Sequence, residues 1–75
     1  MKVLFFGSLS DIAGKTEFDL NHIQSTDQLK EKLFDKHPEL ARHSFLIAIN
    51  KKVYTGNCIL KEEDVVALLP PFSGG

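Results

Sequence analysis

The sequence predicts a small α+β domain in which one helix covers one face of one sheet. Three observations carry this. Four or five short β-type runs are separated by turn residues, one capped amphipathic segment lies between them, and 75 residues suffice for one domain with a modest core. The order reads β-β-α-β-(β)-β.

Val3-Leu4-Phe5-Phe6 is a short β-type apolar run closed by Gly7 and Ser8. Leu9 to Lys15 reads as a loop with Gly14 as its turn residue. Thr16-Glu17-Phe18-Asp19-Leu20 alternates polar and apolar, the two-residue period of a half-buried strand, and can pair with the first run as a hairpin. Ser25-Thr26-Asp27-Gln28 then fits a capping box, in which the Ser25 hydroxyl and the Gln28 amide satisfy orphan backbone donors reciprocally. Leu29, Leu33 and Phe34 form the apolar stripe of the helix that begins there, and Lys30, Glu31, Asp35 and Lys36 its wet side. Pro38 disfavours helical geometry at His37, so the helix ends there, and Glu39 to Ser44 is a turn or a single helical turn.

Phe45-Leu46-Ile47-Ala48-Ile49 is the third strand, broken by a tight turn at Asn50-Lys51-Lys52, and Val53-Tyr54 begins a short fourth. The charged run Lys61-Glu62-Glu63-Asp64 reads as a solvated turn, with contact to a basic partner as the alternative. Val65-Val66-Ala67-Leu68-Leu69 is the last strand, ended by Pro70-Pro71 because proline donates nothing to a strand ladder. The domain is expected over residues 1–69, with an extended tail over 70–75.

Composition excludes several classes. With 9 basic and 10 acidic side chains, the formal charge of −1 offers no footprint for nucleic acid or an anionic membrane. Met1 to Phe6 is too short for a signal-peptide core, and no stretch approaches the roughly 18 apolar residues of a membrane span. A cytoplasmic protein is the expectation. Cys58 is the one cysteine, and His22, His37 and His43 share no tight spacing with it that would suggest zinc; the histidines are expected in loops and at the helix end. A sulfur-relay role for Cys58 would need exposure and a lowered pKa, and no basic neighbour precedes Lys61, so an inert thiol near a strand edge is the expectation. No nucleophile–base–orienter set is visible, so catalysis by this chain alone is not expected.

The first, third and last strands are nearly continuous apolar runs, the pattern of strands buried on both faces. One helix covers only one face. Apolar side chains of Val3 to Phe6 and Val65 to Leu69 must therefore point to an uncovered side, and such a patch on a small domain marks a protein interface. The alternative is a sheet curled tightly enough to shield itself.

Pro70 and Pro71 fix two φ angles and favour an extended exit from the last strand, while Gly74 and Gly75 leave the tip without side chains. A stiff base and a narrow tip suit insertion into another protein's active-site channel. The reactive group would be the main-chain carboxylate of Gly75. Adenylation by an enzyme using ATP would activate it, and a sulfur donor could displace AMP to give a thiocarboxylate. Gly-Gly alone also fits a frayed end; the prolines and the strand before them favour the arm.

Asp64-Val65-Val66-Ala67-Leu68-Leu69-Pro70-Pro71-Phe72-Ser73-Gly74-Gly75 resembles the end of the molybdopterin synthase small-subunit family: an acidic residue, a short apolar strand, Pro-Pro, two variable residues and Gly-Gly. Lys2-Val3-Leu4-Phe5-Phe6-Gly7 and Asp11-Ile12-Ala13-Gly14 are similar to that family's first strand and loop, and the resemblance spans the whole chain. It implies a ubiquitin-like β-grasp fold, a mixed sheet of four to five strands with one main helix on one face. It implies that Gly75 is adenylated and thiocarboxylated, and that Pro70, Pro71, Phe72, Ser73 and Gly74 enter the large catalytic subunit. There the tail would donate sulfur to cyclic pyranopterin monophosphate, forming the dithiolene of molybdopterin. The implied partners are that large subunit, with two small and two large subunits assembled, an ATP-dependent adenylating enzyme and a sulfur donor protein. No cofactor is expected on this chain. Matched by position, Phe6, Val53 and Leu69 would pack against the large subunit. Two residues depart from the family: Glu63 stands where it often has glycine, which bears on the turn geometry, and Leu69 where it often has an aromatic residue. A carrier for thiamine or thionucleoside synthesis, a modifier joined to lysines through Gly75, and an interaction module with an inert tail remain as alternatives.

Overall fold

The computed structural model describes residues 1–71. Five strands, β1 (Lys2–Phe5), β2 (Glu17–Asp19), β3 (Leu46–Ile49), β4 (Lys52–Tyr54) and β5 (Val65–Leu69), form one sheet in the order β2-β1-β5-β3-β4. β1 and β5 run parallel at its centre, and the other pairs are antiparallel. The β1–β2 pairing extends past both strand ends: Phe5 N–H donates to Thr16 O at 2.8 Å, and Leu20 N–H to Met1 O at 3.0 Å.

α2 (Thr26–Lys36) is the expected helix. Ser25 caps it by accepting from Gln28 N–H at 3.2 Å. The return bond differs from the expected box, because Gln28 Oε1 accepts from Gln24 N–H at 2.7 Å rather than from Ser25. Ser25 itself is extended and forms an isolated bridge to Ile59, flanked by Thr26 N–H donating to Cys58 O and Leu60 N–H to Gln24 O. The buried Thr26 hydroxyl fixes the same loop, accepting from Cys58 N–H at 2.9 Å, while Asn57 Oδ1 accepts from Asp27 N–H. Pro38–Arg42 forms a short 3-10 helix after α2.

The segment Leu9 to Lys15, expected as a loop, lies largely in a helix, α1 (Ser8–Ala13). Its six residues are too few to show a helical period, and their stability comes from packing: Leu9 and Ala13, one turn apart, are buried in the core. Gly14 closes it in the left-handed conformation (φ 76°), donating its N–H to Ser10 O at 2.9 Å.

The core contains Leu9 and Ala13 of α1, Leu29 and Leu33 of α2 and Leu40 of the 3-10 helix, packed against Val3, Phe5, Ile47, Ile49, Val66 and Leu68 of the sheet. All three helical segments thus cover one face of the sheet.

Candidate functional site

Side chains alternate along a strand, so the buried set fixes which residues face the other way. Val3 and Phe5, Val66 and Leu68, Ile47 and Ile49 face the helices. Leu4 and Phe6, Val65, Ala67 and Leu69, Leu46 and Ala48 therefore face the open side. The register assembles them: Leu4, Ala67, Ala48 and Val53 lie in one cross-strand row, and Leu69 pairs with Leu46 in the next. Continuing the parallel β1–β5 register by one step places Phe6 beside Leu69, and Phe6 N–H donates to Leu68 O at 3.1 Å. Ala48, in the middle of that row, is buried. Phe6 remains 44% exposed and Val53 49%. Around this apolar centre the β2 side is charged: Glu17 stands next to Leu4, and Lys2 Nζ lies 3.6 Å from Glu17 Oε2. Both partners are half exposed, so the pair contributes little stability and serves as a polar rim.

Two contacts fix the ends of β5 relative to this face. At its start, the buried Asp64 joins the β3–β4 turn to the strand. Asp64 Oδ2 accepts from Lys61 N–H at 2.8 Å and Oδ1 from Asn50 Nδ2 at 2.9 Å, while Asn50 Oδ1 accepts from Val65 N–H at 3.0 Å. The Lys61 N–H and the Asn50 amide both favour the ionised carboxylate and hold Asp64 below its ordinary pKa, against the opposing effect of burial. Asn50 (φ 52°) and Lys51 (φ 73°) are both left-handed, as a two-residue hairpin turn requires. The charged run is therefore not uniformly solvated: Lys61, Glu62 and Glu63 are exposed, and Asp64 turns inward.

At the other end of β5 the chain leaves through Pro70, half-buried, and Pro71, exposed. Pro70 lies against Gly7, the residue that joins β1 to α1. The expected tail tip, Phe72, Ser73, Gly74 and Gly75, lies outside the described residues. Phe6, Val53 and Leu69 share the open face, Phe6 and Leu69 as neighbours and Val53 two strands away. Leu4 and Leu46 belong to the same surface, and two-residue alternation from Phe6 and through β3 is the signal that could have found them. Cys58 lies elsewhere, packed against the core beside α2, with Sγ 3.9 Å from the carbonyls of Thr55 and Gly56. A groove lined by His22, Ile23, Gln28, Glu31, Lys32 and Asp35 runs along α2. Among the described residues no group of three His, Cys, Asp or Glu side chains is placed to hold a metal ion, and no helix is long and apolar enough to cross a membrane.

Strand order β2-β1-β5-β3-β4, a parallel central pair and helices on one side define a ubiquitin-like β-grasp domain, here with an open apolar face that runs to the exit of its tail. The profile of the ThiS family matches residues 3–75, and the chain belongs to that family. It is similar to the molybdopterin synthase sulfur carrier subunits of Chlamydomonas reinhardtii (32% identical, covering 100% of this chain and 98% of the relative) and Arabidopsis thaliana (29%, covering 100% and 82%). Among solved structures it resembles a Pyrococcus furiosus protein assigned as subunit 1 of a molybdopterin converting factor (TM-score 0.81, 24% identity, covering 95% of each chain). It also resembles the small archaeal modifier protein 1 of Methanosarcina acetivorans (0.79, 28%, covering 99% and 94%). A third is in a complex of subunits 1 and 2 of the molybdopterin-converting factor of Helicobacter pylori (0.73, 30%, covering 99% and 96%).

Proposed function

We propose that this protein carries sulfur as the small subunit of a molybdopterin synthase, with the main-chain carboxylate of Gly75 as the group that is loaded. The observation that carries the reading lies at the end of β5, where an exposed apolar face and the Pro70–Pro71 exit meet at Leu69. A partner seated on that face receives the residues beyond Pro71. The relatives support both halves: two are named sulfur carrier subunits, and the Helicobacter pylori structure is a complex of two subunits. On this reading the large catalytic subunit covers Phe6, Leu69 and Val53 together with Leu4 and Leu46, in an assembly of two small and two large subunits.

The loading chemistry reflects the weakness of a carboxylate as an electrophile. On a separate adenylating enzyme, a Gly75 oxygen attacks the α-phosphorus of ATP and pyrophosphate leaves. The outer sulfur of a persulfide on a donor protein then attacks the acyl carbon, AMP departs with the activated oxygen, and an acyl disulfide joins Gly75 to the donor. A thiol attacks the donor-side sulfur of that disulfide, forming a new disulfide with the donor and releasing a thiocarboxylate. Its sulfur is passed to cyclic pyranopterin monophosphate as water returns Gly75 to the carboxylate, and two such transfers build the dithiolene. ATP belongs to the adenylating partner, and the domain contributes docking and aim.

Intact-mass analysis of the chain isolated from its native cell tests this. A fraction should carry sulfur in place of one oxygen, and a chain lacking Gly75 should not. Recovery of Gly75 only in isopeptide linkage to lysines would make the protein a modifier instead. Molybdenum-cofactor synthesis that survives deletion of Gly75 would overturn the reading.

A further inference from the structure

We propose that Gly7 is a positioning residue for the tail, and that the corner between β1 and α1 forms a seat for the Pro70 ring. A Cβ built on Gly7 would lie 2.7 Å from Pro70 Cγ and 3.6 Å from Cδ, so the ring occupies the space any side chain at position 7 would need. Gly7 also has φ 59° and ψ −139°, a positive-φ conformation that L residues rarely adopt. Two independent features, close approach and dihedral, therefore demand glycine at one position.

The seat is held from both sides. Ser10 Oγ and Ser10 N–H both donate to Gly7 O, at 2.8 and 3.1 Å, and Leu9 N–H donates to Phe6 O at 3.2 Å. Leu9, 1% exposed, ties this corner to the core. On the strand side, Phe6 N–H donates to Leu68 O, two residues before the proline. Pro70 thus sits between a fixed strand end and a fixed helix start, while Pro71 is exposed. The two prolines have different tasks. Pro70 against Gly7 sets the direction in which the chain leaves β5, and Pro71 fixes only its own φ. The functional part of this inference rests on the sulfur-carrier reading; the seat itself does not.

The test compares Pro70→Ala, Pro71→Ala and Gly7→Val with the unaltered chain in two measurements. Residual dipolar couplings read direction without any sulfur chemistry. In Gly7→Val, the Cα–Hα coupling of Pro71 should change while the amide couplings of Val66 to Leu68 stay fixed. In Pro70→Ala, which removes the ring without straining position 7, the coupling at residue 71 should change likewise. Unchanged couplings at residue 71 in both would overturn the seat. In the second measurement, chains made with a C-terminal thiocarboxylate are mixed with a molybdopterin synthase large subunit and cyclic pyranopterin monophosphate. Transfer should slow on the order of tenfold for Pro70→Ala and Gly7→Val and less for Pro71→Ala, with affinity for the large subunit changed less than the rate. Equal rates for Pro70→Ala and Pro71→Ala would overturn the division of tasks. Failure of the unaltered chain to transfer sulfur would count against the carrier reading, and the couplings would still judge the seat.

Discussion

β1 and β5 carry apolar side chains on both faces, and the two faces have opposite fates. Toward the helices, Val3, Val66 and Leu68 are fully buried; on the other side Phe6 and Val65 stay substantially exposed. The residue types are alike, so hydrophobicity does not distinguish them. The difference lies in cover, because α1, α2 and the 3-10 helix all pack on one side. Apolar area on the covered face stabilises the fold, while on the open face it stays in water until a second molecule removes it. Truncation on the first side should register in unfolding, and on the second in binding.

Leu68 and Leu69, adjacent residues on opposite faces, put the contrast to its most direct test. Leu68→Ala should destabilise the domain by about 2–5 kcal/mol in urea unfolding. Leu69→Ala should cost about 1 kcal/mol or less, since its side chain is only half-buried. Equal losses would erase the distinction between the faces.

Next in size is Asp64→Asn, expected to cost about 1–3 kcal/mol, because an amide in its place cannot accept from both Lys61 N–H and Asn50 Nδ2. A carboxyl held low in the folded state adds stability that is complete above its ordinary pKa of 3.8 and fades as pH falls through the folded value. Unfolding followed from about pH 6 to 2 should show a shallower acid loss in Asp64→Asn than in the unaltered chain. A smaller effect, about 1 kcal/mol, is expected for Ser25→Ala, read from the same curves. The smallest effect on stability, within about 0.5 kcal/mol, is expected for Phe6→Asp. That variant should nevertheless abolish binding of the large subunit in titration calorimetry, as should Leu69→Asp, and undiminished binding would remove the open face from the interface.

Much of this could be read along the chain, and the exceptions share a cause. β1, β5, the capped α2 and the turn at Asn50 announce themselves through local signals: apolar runs, a capping residue, a turn triplet. α1 does not, since Ser8–Ala13 carries serine, aspartate and a glycine just past its end, and becomes helical because Leu9 and Ala13 find a core built by distant strands. The Asp64–Asn50 contact and the Gly7–Pro70 approach were equally hidden, each joining residues far apart in the chain whose meeting depends on register. The uncovered face is legible in the sequence because one helix cannot cover both faces of strands that are apolar on both sides. Assigning Phe6, Val53 and Leu69 to it required resemblance, and their arrangement in adjacent cross-strand rows required the sheet.

The parallel pairing of β1 with β5 has a consequence for synthesis. Lys2 at the start of β1 meets Val65 at the start of β5, so the centre of the sheet cannot close until β5 has been made. A truncated or nascent chain has neither the row Leu4-Ala67-Ala48-Val53 nor the corner that receives Pro70. A partner that recognises the open face therefore meets it only on chains in which β5 has already paired with β1 and β3.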